Sequence, residues 1–329
     1  MTAVSYHDTV NDLQDLDWCE AGPFGRAQWF GLLEKSSRTR ALYAQATSGS
    51  RGLVLPLLYG PDGLHSLANW YAFTWNALHT PGGPHADLAE CIASDLVSRT
   101  SRLHLTRIGG EDAALKALED AFRKAGWHAY REVCDTNHVL PVRGRSFAQF
   151  MAGRPGRVRT TLQRKARKLD VHVSARFNAA DWTCYEAIYA DSWKPAEGDP
   201  HLLRAFAREE SAHGRYRFAL AWAEGEPVAA QFWTVDQGTA YIHKLAHRTS
   251  AERLSPGTVL TAALFERVID IDGVDLVDFG TGDDPYKRDW MEQVRERWDL
   301  TCMRPMAPRN WPIMGKHILR KLVSPASRG

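Results

Sequence analysis

One segment of this chain concentrates more chemistry than any other: Asp278-Phe279-Gly280-Thr281-Gly282-Asp283-Asp284-Pro285-Tyr286-Lys287-Arg288-Asp289-Trp290. An apolar run ends here, two glycines turn the chain, and polar groups crowd the turn. Such a strand end is where α/β architectures place ligands. Tyr286 carries a hydroxyl able to protonate a departing thiolate, and Asp283 and Asp284 can hold or deprotonate an amine. Lys287 can bind a phosphate or a carboxylate as a point charge. Helix-start chemistry accounts for Asp283, Asp284 and Pro285 without any function. It leaves Tyr286 and Lys287 unexplained.

A second segment, Leu254-Ser255-Pro256-Gly257-Thr258, offers a helix N-terminus with Ser255 as cap, Pro in the first turn, and Gly257 and Thr258 beside it. Backbone N–H groups at such a start suit a pyrophosphate, and glycine lets it approach closely. Capping alone also explains Ser255-Pro256. Just upstream, Thr239–Ala246 (TAYIHKLA) reads as a strand whose alternation sets Tyr241 and His243 on one face and Ile242 and Lys244 on the other. A pyrophosphate loop directly after a strand fits a coenzyme A thioester, with the pantetheine arm lying beside Leu245, Ala246 and His247. On this reading Ser255, Gly257 and Thr258 hold the pyrophosphate, and Tyr241, Asp284 and Trp193 face the acceptor. His243, neutral near pH 7, is the candidate base; a strand histidine in a structural role is the alternative. Trp193-Lys194-Pro195 follows a helix over 181–192 and either lines the acceptor site or buries the indole.

The elements that would position these groups occur twice. Residues 42–68 and 218–246 each read as apolar run, turn, apolar run, Gly turn, apolar run, the pattern of a three-stranded antiparallel meander. Gly63 and Gly238 mark matching turns 175 residues apart, as do Pro81-Gly82 and Pro256-Gly257, each opening an amphipathic helix. Strands over 103–108 and 276–279 follow, ending in Gly110 and Gly282, 172 apart, and a helix with an acidic start comes next in both. Where the second copy has Tyr286-Lys287, the first has Ala114-Leu115. The fold therefore does not need Tyr-Lys, and the second copy reads as the active one. A long helix is expected over Ser146–Asp170.

Composition excludes several classes. Lys+Arg of 41 against Asp+Glu of 39 is too even for a general nucleic-acid binder, so DNA is not expected. The basic surplus lies after residue 145, in the seven Arg and Lys of 154–168, read as a solvated face or as a steering surface for a phosphate, a tRNA or a nucleotide-linked sugar. Five scattered cysteines form no disulfide or metal pattern, which fits reduced thiols in a cytoplasmic protein with no metal site. The basic amphipathic stripe Ile313–Val323 either packs on its own domain or touches a membrane surface.

Pro227–Trp290, above all LSPGTVL (Leu254–Leu260) and DFGTGDDPYKRDW (Asp278–Trp290), resembles the CelD-like acetyltransferases of the GNAT superfamily. That family is related to the FemAB-type transferases with two GNAT-like domains in tandem. LPLLYG (Leu55–Gly60) and Asn69-Trp70-Tyr71 extend the likeness into the first half. Here the strand ends in Gly280-Thr281, where the family usually has a large residue and Arg before Gly-Asp. The resemblance implies an α/β fold of two tandem GNAT-like domains, 1–145 non-catalytic and 146–329 catalytic, each a twisted, mostly antiparallel sheet flanked by helices. It also implies transfer of an acyl group, acetyl in the simplest case, from acyl-CoA to an amine of a small molecule, amino sugar or envelope precursor. Two other readings stay open: a FemAB-like transferase drawing on aminoacyl-tRNA, and a degenerate GNAT module that only binds a partner.

Overall fold

The computed structural model describes residues 2–13, 15–36 and 40–323. The chain divides into two compact units: residues 1–135 with 296–329, and residues 136–295. Both are mixed α/β structures with mostly antiparallel sheets.

The first unit opens with β1 (Ala3–His7) and α1 (Ala27–Ser36), then the meander β2 (Ala41–Ser48), β3 (Arg51–Tyr59) and β4 (Leu64–Ser66), with the short β5 (Leu78–His79) on β3. Next come α2 (Ala86–Asp95), β6 (Arg102–Gly109), α3 (Ala113–Lys124) and β7 (His128–Pro141). β4 lies parallel to β6, with Leu64 opposite Leu103. α2 starts at Ala86, four residues after the Pro81-Gly82 that leads into it. Gly82 turns the chain with φ +82°. Helix α3 keeps the expected acidic start, Asp112 accepting the Ala114 N–H. It buries Leu115, Leu118 and Phe122 under the sheet beside Trp127.

The second unit comprises α4 (Phe147–Ala152), α5 (Gly156–Lys165), β8 (Asp170–Ser174), α6 (Ala179–Ala190), α7 (Pro200–Ala212), β9 (Tyr216–Ala223), β10 (Glu226–Asp236), β11 (Thr239–His247), α8 (Pro256–Glu266), β12 (Leu276–Thr281) and α9 (Pro285–Arg288). Its sheet runs in the order β7-β12-β11-β10-β9-β8. The meander β9-β10-β11 is antiparallel, and β11 lies parallel to β12. That repeats the β4–β6 relation of the first unit, so the duplication read from the turns is present in the ladders themselves. The core on the α8 side is aromatic: Trp290 stacks on Phe265 at 5.2 Å, and Trp233 meets the same ring edge-on.

Two expectations are corrected. The helix over 146–170 is two helices, because Pro155 has no N–H to continue a helix from α4; α5 ends in a tight turn and β8 pairs with β9. The division after residue 145 is also different. β13 (Gln293–Met303) carries Arg297–Met303 alongside β6 of the first unit, so its ladder bonds take the C-terminal segment there. α10 (Trp311–Val323) follows, its His317 ring stacked 3.6 Å from Tyr130. The expected start of a helix after Ser146 holds, with Ser146 and Gln149 forming a capping box.

Candidate functional site

β11 and β12 pair only over Thr239–Tyr241 and Leu276–Asp278. Beyond Tyr241, β11 shows no ladder partner on its β12 side among the described residues, so the two strands part like the arms of a V. A bulge in β11 coincides with the parting. Phe232 of β10 faces Lys244 while Trp233 faces Ile242, leaving His243 as the extra residue.

The bulge decides what the β11 side chains do. His243 enters an aromatic layer, stacked on Phe232 at 5.0 Å and edge-on to Phe206 at 5.2 Å, with Nε2 2.8 Å from Thr234 Oγ1. Some of the ring meets the surface, yet burial, helped by Lys244, pulls its pKa down to about 3. A base that weak does not draw a proton from an ammonium, so the base role expected of His243 does not suit its surroundings. Lys244 donates to Glu197 at 3.0 Å, and the Tyr185 hydroxyl donates to the same carboxylate at 3.2 Å. Strict alternation could not foresee this, because a bulge shifts every residue after it.

Lys194, in the loop between α6 and α7, lies 6.0 Å from the Tyr189 ring and 5.6 Å from Trp193. Burial, and after it the nearby Lys244, lowers its pKa to about 8, with Glu197 and Asp284 acting in the opposite sense. Trp182, Tyr185, Tyr189, Lys194, Glu197 and Arg204 line a cavity of about 600 Å³. Trp193 is 58% exposed, its ring 4.3 Å from that of His247 at the end of β11. Burial of this indole is thus ruled out. Sequence reasoning missed Glu197, Tyr185 and Tyr189; the one available signal was the charge in the Trp193–Glu197 loop after a helix rich in aromatics.

The charge on Lys194 costs the folded state free energy below pH 8, where both states hold the proton. That cost fades as pH rises from about 8 to 10.5, because only the unfolded chain then stays fully protonated. Lys194→Met is therefore expected to raise the Tm at pH 7, with the gain shrinking across that window. Thermal melts at pH 7 and pH 10 check this; an equal shift at both would contradict it.

At the start of α8, Ser255 adopts a left-handed conformation, φ 50°, and its side chain makes no cap bond, unlike the expected capping role. Its carbonyl takes the Thr258 and Val259 N–H groups. Gly257 is buried, and a Cβ there would meet Leu245 Cδ2 at 3.2 Å. The glycine thus also lets helix and strand approach.

After β12 the turn is built from side chains. Buried Asp278 accepts from Gly280 N–H at 2.7 Å and from Asn137 Nδ2 at 2.6 Å. Gly280 and Gly282 take φ of 68° and 92°, values that favour glycine. Asp284 caps α9 through the Tyr286 N–H. Asp283 is exposed and engaged by Arg288 and, at 2.9 Å, by His138; the Arg288 bond, then His138, lowers its pKa. Lys287 donates to the Thr281 carbonyl and lies over the Phe279 ring. The Tyr286 hydroxyl reaches Thr261 Oγ1 at 3.0 Å and Gly257 O at 3.2 Å, and burial pushes its pKa up to about 12. Tyr286 is thereby tied to the first turns of α8. Asp284 and Lys287 lie within electrostatic reach of Lys194, whereas Asp283 is committed to His138 and Arg288. Among the described residues no His, Cys, Asp or Glu group could hold a metal ion.

Residues 156–288 match the family described as Acetyltransferase (GNAT) domain. This stretch is a GNAT domain. Solved structures share the fold. FemX superposes with a TM-score of 0.61 at 9% identity, over 85% of this chain and 92% of that one. The L-PGS of Bacillus licheniformis gives 0.58 at 12%, over 90% and 92%. A tandem GNAT protein from the clavulanic acid biosynthesis pathway gives 0.50 at 12%, over 93% and 100%. No curated protein matches the chain. The GNAT domain thus holds the parted strands, α8 and the aromatic cavity in one unit.

Proposed function

We propose that the GNAT domain moves an acyl group, acetyl in the simplest case, from acyl-CoA to an amine. The observation that carries this is the parting of β11 from β12 directly before the N-terminus of α8. Ser255, Gly257 and Thr258 would face the donor's pyrophosphate, which the helix dipole favours. The open edge of Leu245, Ala246 and His247 would offer backbone groups to the amide-bearing pantetheine arm. The amine enters the cavity beside Trp193, with Tyr241 and Asp284 at its inner edge. Lys194, which sheds its proton near pH 8, takes one from the incoming ammonium. The free amine then attacks the thioester carbonyl, a C–N bond forms as C–S breaks, Tyr286 protonates the leaving thiolate, and the proton that the nitrogen sheds on becoming an amide restores Tyr286 by way of solvent. Lys287 acts by holding the end of β12 in place. An amino sugar or an envelope precursor would suit a pocket that is both aromatic and charged.

An aminoacyl-tRNA donor is the second reading. It is favoured by α5, whose Lys165 donates to the Arg253 carbonyl beside the α8 approach, adding cations near the same loop. Thermal shift and mass spectrometry of the purified chain separate the two. Acetyl-CoA is expected to raise the Tm, and a CoA thioester to co-purify. Stabilisation by aminoacyl-tRNA with no response to any CoA thioester would replace the first reading by the second.

A further inference from the structure

The first unit carries a surface that catalysis does not use. From Thr301 to the end, the sequence has six Lys and Arg and no Asp or Glu, in a chain whose overall charge is only +2. Large apolar side chains are exposed in the same stretch: Met306 at 83%, Leu319 at 62%, Trp311 at 59% and Ile318 at 47%. At about 100° per residue, Trp311, Pro312, Gly315, Ile318 and Leu319 share an arc of about 120° on α10. Lys316, exposed, lies about 40° beyond one edge of that arc, and Arg320, also exposed, about 80° beyond the same edge. The opposite side is satisfied by the protein: Asn310 binds Ser101 O and Arg304 O just before the helix, and His317 stacks on Tyr130. α10 is thus anchored along one side and largely exposed along another, where Trp311 Nε1 donates to Pro305 O at 2.8 Å.

Next to it, Arg99, Arg304 and Arg309 line a depression of about 340 Å³ with Met306 at its lip and Ser101 in its wall. Arg309 Nε donates to Ser101 Oγ at 2.7 Å, Arg304 to Val97 O at 3.3 Å, and Arg99 lies 3.6 Å over the Tyr6 ring. None of the three forms an ion pair among the described residues. Cations held by neutral partners keep their charge available to an anion. Among the described residues no helix is long and apolar enough to cross a membrane, so this surface can lie on a bilayer but α10 cannot span one.

We propose that this face docks on an anionic phospholipid bilayer, the arginine depression taking headgroup phosphates while Met306, Trp311, Ile318 and Leu319 enter the interface. Charge decides for a bilayer over a protein partner. A tryptophan-bearing apolar stripe bordered by cations, with no acid in the segment, matches the layering of an anionic membrane surface.

Vesicle flotation with the purified full chain tests this without any catalytic readout. The chain should float with vesicles rich in phosphatidylglycerol and stay behind with pure phosphatidylcholine. High salt should weaken the binding. Trp311→Asp with Leu319→Asp, and separately Arg304→Gln with Arg309→Gln, should each lower the bound fraction at least about tenfold. Circular dichroism confirms folding; these side chains are at the surface, and retained binding in either folded variant overturns the assignment. So does absence of binding by the wild-type chain. A wild-type dimer that Trp311→Asp dissolves, with no vesicle binding, would assign the face to a second copy instead.

Discussion

Gly257→Asp is expected to weaken acyl-CoA binding at least about 100-fold, a loss of about 2.7 kcal/mol. The new carboxylate would stand where α8 presents its first N–H groups, repelling the phosphates and filling their approach. Gly257 is buried, so the new carboxylate also costs stability, partly offset by the helix dipole, and a thermal melt establishes that the variant is folded before its affinity is read. The nearest obstacle is a flexible one, a Leu245 methyl 3.2 Å from the added Cβ. Gly257→Ala adds the same Cβ without the charge and should cost much less. Gly82→Asp, at the corresponding turn of the first unit, has open space around it and should leave binding unchanged. Calorimetry with acetyl-CoA reads all three. Wild-type affinity in folded Gly257→Asp would move the donor site elsewhere.

Tyr286→Phe is expected to lower kcat by about 10²–10⁴, the usual worth of a positioned acid, with the KM for acyl-CoA little changed. With its pKa raised to about 12, the hydroxyl keeps its proton throughout the working range, so activity should show no alkaline limb from this group below about pH 11. The ring packs against Phe279 and Trp290 and stays in the variant. What else is lost is the hydrogen bond to α8, about 1 kcal/mol of stability. Steady-state rates on a verified amine acceptor and a thermal melt separate the two roles. A lower Tm with unchanged turnover would mean that Tyr286 only fastens α9 to α8.

What the sequence revealed and what it hid divide along the reach of the interactions. The turns at Gly63 and Gly238, the beginning of a helix after Ser146 and the start of α8 at Pro256 are written in neighbouring residues, and each could be read directly. Gly257 was read for its approach to a ligand; its approach to Leu245 needed the packing. The place of β13 depends on a ladder with residues almost two hundred positions away, which no local pattern carries. His243 is the sharper lesson. Period-two alternation put it on the face of Tyr241 and away from Lys244, but one extra residue in β11 broke the period. That placed the lysine against Glu197 and set the histidine into an aromatic layer. The residues that gather at the cavity, Lys194, Glu197 and Tyr185, come from a loop and a helix whose meeting is tertiary.

The pairing of Arg297–Met303 with β6 has a consequence for how the chain is made. A ribosome delivers the first unit's other strands early, but β6 keeps an open edge until Met303 has emerged from the exit tunnel. The second unit, continuous in sequence, can close first. Biosynthesis can thus run against the usual order in which the N-terminal body sets before the one behind it. For that interval the nascent chain presents a bare strand edge, the feature that recruits chaperones or seeds association.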